Sequence, residues 1–162
     1  MRSLLVDIAL ALAVLLLHTT IIPFIAIGDV VPDLPLLLVI IIAIRRGQIP
    51  GTLAGFFIGL ALDLLSGGDG VMGLSALTKT VAGFLAGYFY NENKTFQTLG
   101  GSQFLVIVLL AGAVHNVLYF VIFLQGSGFS WMWILLRYGL PALLYVAAAG
   151  LVPMFWIGRK YA

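Results

Sequence analysis

Residues 51–70 read GTLAGFFIGLALDLLSGGDG. Gly51, Gly55 and Gly59 recur every four residues and Asp63 takes the next step, which places all four on one face of a helix. The positions between them are mostly Leu, Ile, Phe and Ala. A stripe of small residues lets two helix backbones approach closely, which is how helices pack where lipid removes the hydrophobic drive between them. The stretch therefore predicts a membrane helix that offers bare backbone to a neighbour and ends in a carboxylate.

Composition supports that reading. The chain has 162 residues, 62% of them hydrophobic and only 9% charged, where a soluble domain carries roughly 25% charged residues. With a mean hydropathy of +1.17, the sequence lacks the polar surface to coat a water-soluble globule and predicts an integral membrane protein. The formal charge is only +2, and no basic tract is long enough for nucleic acid. The chain has no cysteine, which excludes disulfides, thiolate metal sites and a cysteine nucleophile. After Arg2 comes a long apolar run without a small-residue cleavage site, so it is expected to be a retained first span.

A helix crossing a bilayer needs roughly 20 apolar residues. The apolar runs predict an all-α bundle of six spans in a single membrane domain, 1–162: residues 4–27, 34–44, 52–65, 74–90, 104–124 and 134–157. The second and third are short, and a hairpin that does not cross fully is the alternative for that pair. With six crossings, Arg2, Arg45, Arg46, Lys94, Arg159 and Lys160 share one side. Asp29, Asp69 and the neutral GSGFSWMW stretch share the other. The excess of Lys and Arg then puts both termini in the cytoplasm. Trp131, Trp133, Trp156, Tyr88 and Tyr90 fall near span ends, where aromatic side chains anchor at the interface.

A charge within a membrane helix costs roughly 2.5–3.5 kcal/mol on insertion scales unless paired or hydrated. His18, Asp33, Asp63, Lys79, His115, Asn116 and Arg137 are the polar candidates, and this topology sets them all in the outer half of the bilayer. In the fourth span Ala76, Lys79, Thr80, Gly83 and Gly87 form another small-residue face. Spans three and four are antiparallel and closely joined, so their glycine faces can meet. Lys79 leans toward its helix N-terminus, and the expectation is an Asp63–Lys79 ion pair sealing the outer end. The alternative is that each snorkels separately to the interface. Asp33, just before a helix with Pro35 in its first turn, reads as an N-cap. His18 and the His115–Asn116 pair read as satisfied buried groups, since no Cys, Asp or Glu stands beside them at metal-ligand spacing. Arg137 reads as an interface anchor, although a cation at a helix start opposes the dipole and makes an acidic partner plausible. Gly67, Gly68 and Gly70 read as a turn. No nucleophile elbow, P-loop, HExxH or paired carboxylates occur, so neither an enzyme nor a cofactor is expected.

The segment VPDLPLLLVIIIAIRRGQIPGTLAGFFIGLALDLLSGGDGVMGLSALTKTVAGFLAGY resembles the rod shape-determining protein MreD family. The resemblance rests on residues 32–88: Pro-Asp before an apolar span, a basic turn, G-x-x-x-G-F-x-x-G-L-x-x-D-L-L, then G-L-x-A-L and a G-x-x-x-G before an aromatic. Pro32, Asp33, Gly55, Gly59, Asp63 and Gly73 match the pattern by position. The resemblance implies a non-catalytic subunit of the bacterial elongasome (Rod complex) in the inner membrane. Its implied partners are MreC, MreB, RodA and a penicillin-binding transpeptidase, and its implied role is to organise side-wall peptidoglycan synthesis. It also implies a bundle similar to the S components of energy-coupling-factor transporters. MreC's membrane helix is the first partner expected, with Ala9 and Ala13 as a docking face, and Gly51, Gly55 and Gly59 as another if they are not used internally. The rival expectation is a solute-binding protein of the S-component kind, with an outward cavity made by His18, Lys79, His115, Asn116 and Arg137.

Overall fold

In the computed structural model, residues 2–27, 30–66, 71–123 and 130–161 are described. The expectations for Asp29, Gly67, Gly68, Asp69, Gly70, Leu124 and the start of GSGFSWMW lie outside the described residues. Among those that are described, no strand forms beyond an isolated bridge between Ile27 and Val30. The helices are α1 (Arg2–Thr20), a 3-10 turn (Ile22–Ile25), α2 (Leu34–Arg46), α3 (Gln48–Leu65), α4 (Leu74–Gly87), α5 (Thr95–Gly100) and α6 (Ser102–Phe123). A last, continuous run joins α7 (Trp131–Ile134), a π-helical turn (Leu135–Gly139) and α8 (Leu140–Tyr161). Among the described residues, three helices are long and apolar enough to cross a membrane: Gln48–Leu65, Ser102–Phe123 and Met132–Lys160.

The helix boundaries have local causes. The first apolar run was expected to continue to Ile27, but α1 ends at Thr20. Pro23 sits in the 3-10 turn that follows, where its ring and missing N–H stop an α-helix. The Thr19 and Thr20 hydroxyls donate to carbonyls in the preceding turn, among them Leu15 and Leu16. Gly47 has φ 94°, and its N–H closes α2 on the Ala43 carbonyl at 2.8 Å. That left-handed residue reverses the chain in one step, so α3 starts at Gln48 rather than Thr52. The fourth helix stops at Gly87, short of the expected Tyr90. The short helix α5 was not anticipated. Gly100 presses on Gly158 there, where an added Cβ would come within 2.8 Å of the Gly158 Cα. In the last helix, Pro141 cannot donate to the carbonyl four residues back. The ladder widens into the π turn just before it, and Asn116 Nδ2 donates to the Gly139 carbonyl there at 2.9 Å.

The short helix α2 is the centre of the bundle. Its 13 residues span roughly 20 Å, against about 30 Å of hydrocarbon. Val39, Ile40, Ala43 and Ile44 have no exposed surface. One side joins Leu36, Ile40 and Ile44 to Ala82, Ala86, Phe104, Val108 and Val146 of α4, α6 and α8. The other side joins Val39 and Ile42 to Leu15, Ile58 and Leu62 of α1 and α3. A helix apolar all round is buried on every face, and α2 meets that requirement with protein rather than lipid. Around it, large apolar side chains point outward, including Leu16, Phe57, Val106, Val152 and Phe155, each more than half exposed. Trp133, Trp156, Tyr88 and Tyr90 are also exposed.

Helices α3 and α4 meet backbone to backbone. A Cβ on Gly55 would fall on the Lys79 carbonyl, one on Gly59 on the Ser75 carbonyl, and one on Gly83 on the Gly51 carbonyl. A Cβ on Gly87 would strike the backbone of Gln48. The glycine stripe of the third helix is therefore consumed inside the molecule. The glycine faces of the third and fourth helices meet as expected, and the condition under which Gly51, Gly55 and Gly59 could dock a partner is not fulfilled. Gly55→Leu and Gly59→Leu are each expected to destabilise by about 3 kcal/mol or more, the upper end for overpacking. Leu64→Ala on the exposed side of α3 is expected to be nearly neutral. Thermal unfolding of the detergent-purified variants checks both.

Candidate functional site

One end of the bundle holds a buried ionic cluster assembled from three helices. Asp33 precedes α2, and its Oδ1 accepts from the Leu36 N–H at 2.8 Å, which is N-cap geometry. Its second oxygen, Oδ2, lies 2.7 Å from Lys79 Nζ of α4 and 3.4 Å from His115 Nε2 of α6. Lys79 is 3% and His115 4% exposed. An ammonium at that depth is tolerated only with a partner, and Asp33 is that partner. One carboxylate thus does two jobs, capping α2 with one oxygen and neutralising Lys79 with the other.

Lys79 does not pair with Asp63, contrary to the sequence expectation. Asp63 Oδ1 accepts from Ser75 N at 3.2 Å and Oδ2 from Ala76 N at 3.1 Å. Gly73, the residue before α4, has φ 90° and no side chain to cap with. The close approach of α3 brings a carboxylate from the neighbouring helix to the bare N-terminus of α4, where amide hydrogens and the helix dipole favour an anion. Lys79 is one turn further along and turns toward α2 instead.

The cluster lines a cavity of about 380 Å³. His18, Asp33, Lys79, His115 and Asn116 face it, with Ser66, Ser75, Tyr119 and Tyr138. Of the five residues expected to share a cavity, His18, Lys79, His115 and Asn116 do so. Arg137 does not: it is exposed, its guanidinium carbon stands 5.5 Å from the Tyr138 ring centre, and among the described residues it makes no ion pair. The Nδ1 atoms of His18 and His115 are buried without a partner in hydrogen-bond geometry. His115 presents its other ring nitrogen, Nε2, to the Asp33 carboxylate. No group of three metal-ligating side chains with workable geometry occurs among the described residues.

A second ionic cluster lies at the other end, and its acidic member went unremarked in the sequence. Asp7 of α1 is 7% exposed. Its Oδ2 is 2.5 Å from Arg46 Nη2 and its Oδ1 is 3.8 Å from Arg45 Nη1. The available signal was an acidic residue inside an apolar first helix, with two arginines ending the second. The same end gathers Gly47 beside Tyr90, Gln48 against Gly87, and Gly100 against Gly158.

Comparison of the chain with protein-family models, with curated proteins and with solved structures finds no match.

The ionic cluster makes a directional prediction. Asp33→Asn strands a buried ammonium and is expected to cost about 3–5 kcal/mol. Adding Lys79→Met is expected to recover most of that, whereas Asp63→Asn and Lys79→Met are expected to add. Asp63→Ala alone is expected to cost about 1 kcal/mol, the usual loss of a cap. Double-mutant cycles on thermal unfolding separate the two pairings.

Proposed function

We propose that this protein is a non-catalytic, six-span subunit of the bacterial elongasome, an MreD-like membrane protein that binds MreC in the inner membrane. The observation that carries the reading is the role of the resembling residues. Asp33 caps α2 and holds Lys79, Gly55 and Gly59 seat α4, Asp63 caps α4, and Gly73 takes a left-handed turn. The motif is thus a folding motif for the α2–α3–α4 unit, which suits a subunit whose work is to hold a shape. RodA, its penicillin-binding transpeptidase and MreB belong to the same proposed complex.

The packing also supports six crossings with both termini in the cytoplasm. The α2–α3 turn with Arg45 and Arg46, the start of α1 and the end of α8 lie at one end of the bundle. Asp33 and the Asp63 cap lie at the other. That is the asymmetry the positive-inside rule reads. Since the glycines of α3 are internal, the face left for MreC's membrane helix is on α1, where Ala9 and Ala13 are exposed. Small residues there permit close approach by a single helix.

A second reading follows from the cavity. A space of about 380 Å³ falls within the range of small-molecule sites, and a few convergent polar groups in an apolar setting are their usual form. In this reading the chain is an S-component-like protein that binds a small solute for uptake.

Crosslinking in cells, gentle detergent purification and mass spectrometry discriminate the two. The elongasome reading expects recovery of MreC with cell-wall synthases, and expects Ala9→Phe with Ala13→Phe to reduce MreC at least severalfold. Recovery of ATPase and coupling subunits with a bound small molecule overturns it in favour of the second.

A further inference from the structure

Away from the polar cavity, a groove of about 530 Å³ runs between α1, α2 and α3. Its walls include Ile8, Ala11, Leu53, Phe57 and Ile58, and its one polar end is Asp7 and Arg46. Arg45 is outside that lining and stands beside this end through its contact with Asp7. Arg46 is the close partner of Asp7 at 2.5 Å, while Arg45 shares it at 3.8 Å with its side chain 39% exposed. The site therefore combines an apolar slot with an exposed guanidinium, that of Arg45, beside one mouth, and of the two arginines on Asp7 it is the one held less tightly.

We infer that this groove binds an anionic membrane phospholipid, one acyl chain in the slot and the headgroup phosphate on Arg45. The dimensions fit that occupant. From Pro50 to Ile58, eight residues along α3, the slot is roughly 12 Å deep, most of the ~15 Å half-thickness of a hydrocarbon core. The charge fits as well, because basic pockets between membrane helices on the cytoplasmic side suit acidic headgroups. A guanidinium also meets a phosphate with paired hydrogen bonds. The lipid would fill the space between α1 and α3, where α1 is otherwise attached through Leu15 and the Asp7 pair. Assignment to the cytoplasmic leaflet rests on the topology proposed above; binding to the groove does not.

The test is native mass spectrometry of the full chain with an equimolar mixture of phosphatidylglycerol and phosphatidylcholine bearing the same oleoyl chains. The wild-type protein is expected to retain phosphatidylglycerol roughly fivefold over phosphatidylcholine, the value of one net cation near a membrane surface. Arg45→Gln leaves the Asp7–Arg46 pair intact and is expected to abolish that preference. Ala11→Phe, which fills the slot, is expected to lower adducts of both lipids. Raising the salt tests the wild-type protein without any substitution, and is expected to weaken the preference through screening. Equal retention of the two lipids by the wild-type protein overturns the inference. So does an undiminished preference in an Arg45→Gln protein that elutes and unfolds like the wild type. Neither result bears on recovery of MreC, so failure here is distinct from failure of the elongasome reading.

Discussion

The close contact of α3 with α4 is the constraint from which the rest of the structure follows. Each glycine on the shared face stands where a Cβ would overlap backbone of the other helix, so the two axes come nearer than any side chain would allow. At that separation, dispersion and backbone contacts replace the hydrophobic drive that lipid cancels. The contact also fixes the chemistry at the Asp33 end of the bundle. It brings Asp63 onto the amides of Ser75 and Ala76, and it turns Lys79 inward to Asp33.

Charge in this molecule is used to join helices. At one end Asp33 connects α2 to α4 and α6; at the other Asp7 connects α1 to α2. Both sets surround the short, wholly apolar α2, which has no polar side chain before its terminal arginines. Ion pairs in a low-dielectric interior add little net stability over apolar packing, but they penalise every arrangement that separates them. In a bundle of interchangeable Leu, Ile and Val surfaces, that penalty selects the register and neighbours of α1, α4 and α6. Beside these ion pairs lie a polar cavity at the Asp33 end and an apolar groove at the Asp7 end.

The division between legible and illegible features follows the range of the interactions. The class of the protein, its main helices, the meeting of two glycine faces and the cap at Asp33 were legible because they depend on composition, on 3.6-residue periodicity or on residues within one turn. Grouping His18, Lys79, His115 and Asn116 was also within reach, because charge and polarity are conspicuous against so apolar a background. The first span was carried across Pro23 on hydropathy alone, where backbone geometry ends the helix; between the second and third, polarity suggested a longer break than the single residue Gly47 makes.

The sequence by itself determined an all-helical, lipid-compatible chain with small-residue seams and a few expensive polar groups. Tertiary structure decided how those groups pair. Asp63 and Lys79 look like partners when only two helices are considered, yet a bare N-terminus at Gly73 claims the first and α2 supplies Asp33 to the second. Asp7 lies 38 residues from Arg45 along the chain. No local pattern links them, and only the folding of α1 against α2 brings the carboxylate within reach. Periodicity says which face a residue occupies, but the partner on the far side of that face depends on three-dimensional packing, because electrostatic pairing acts through space rather than along the chain.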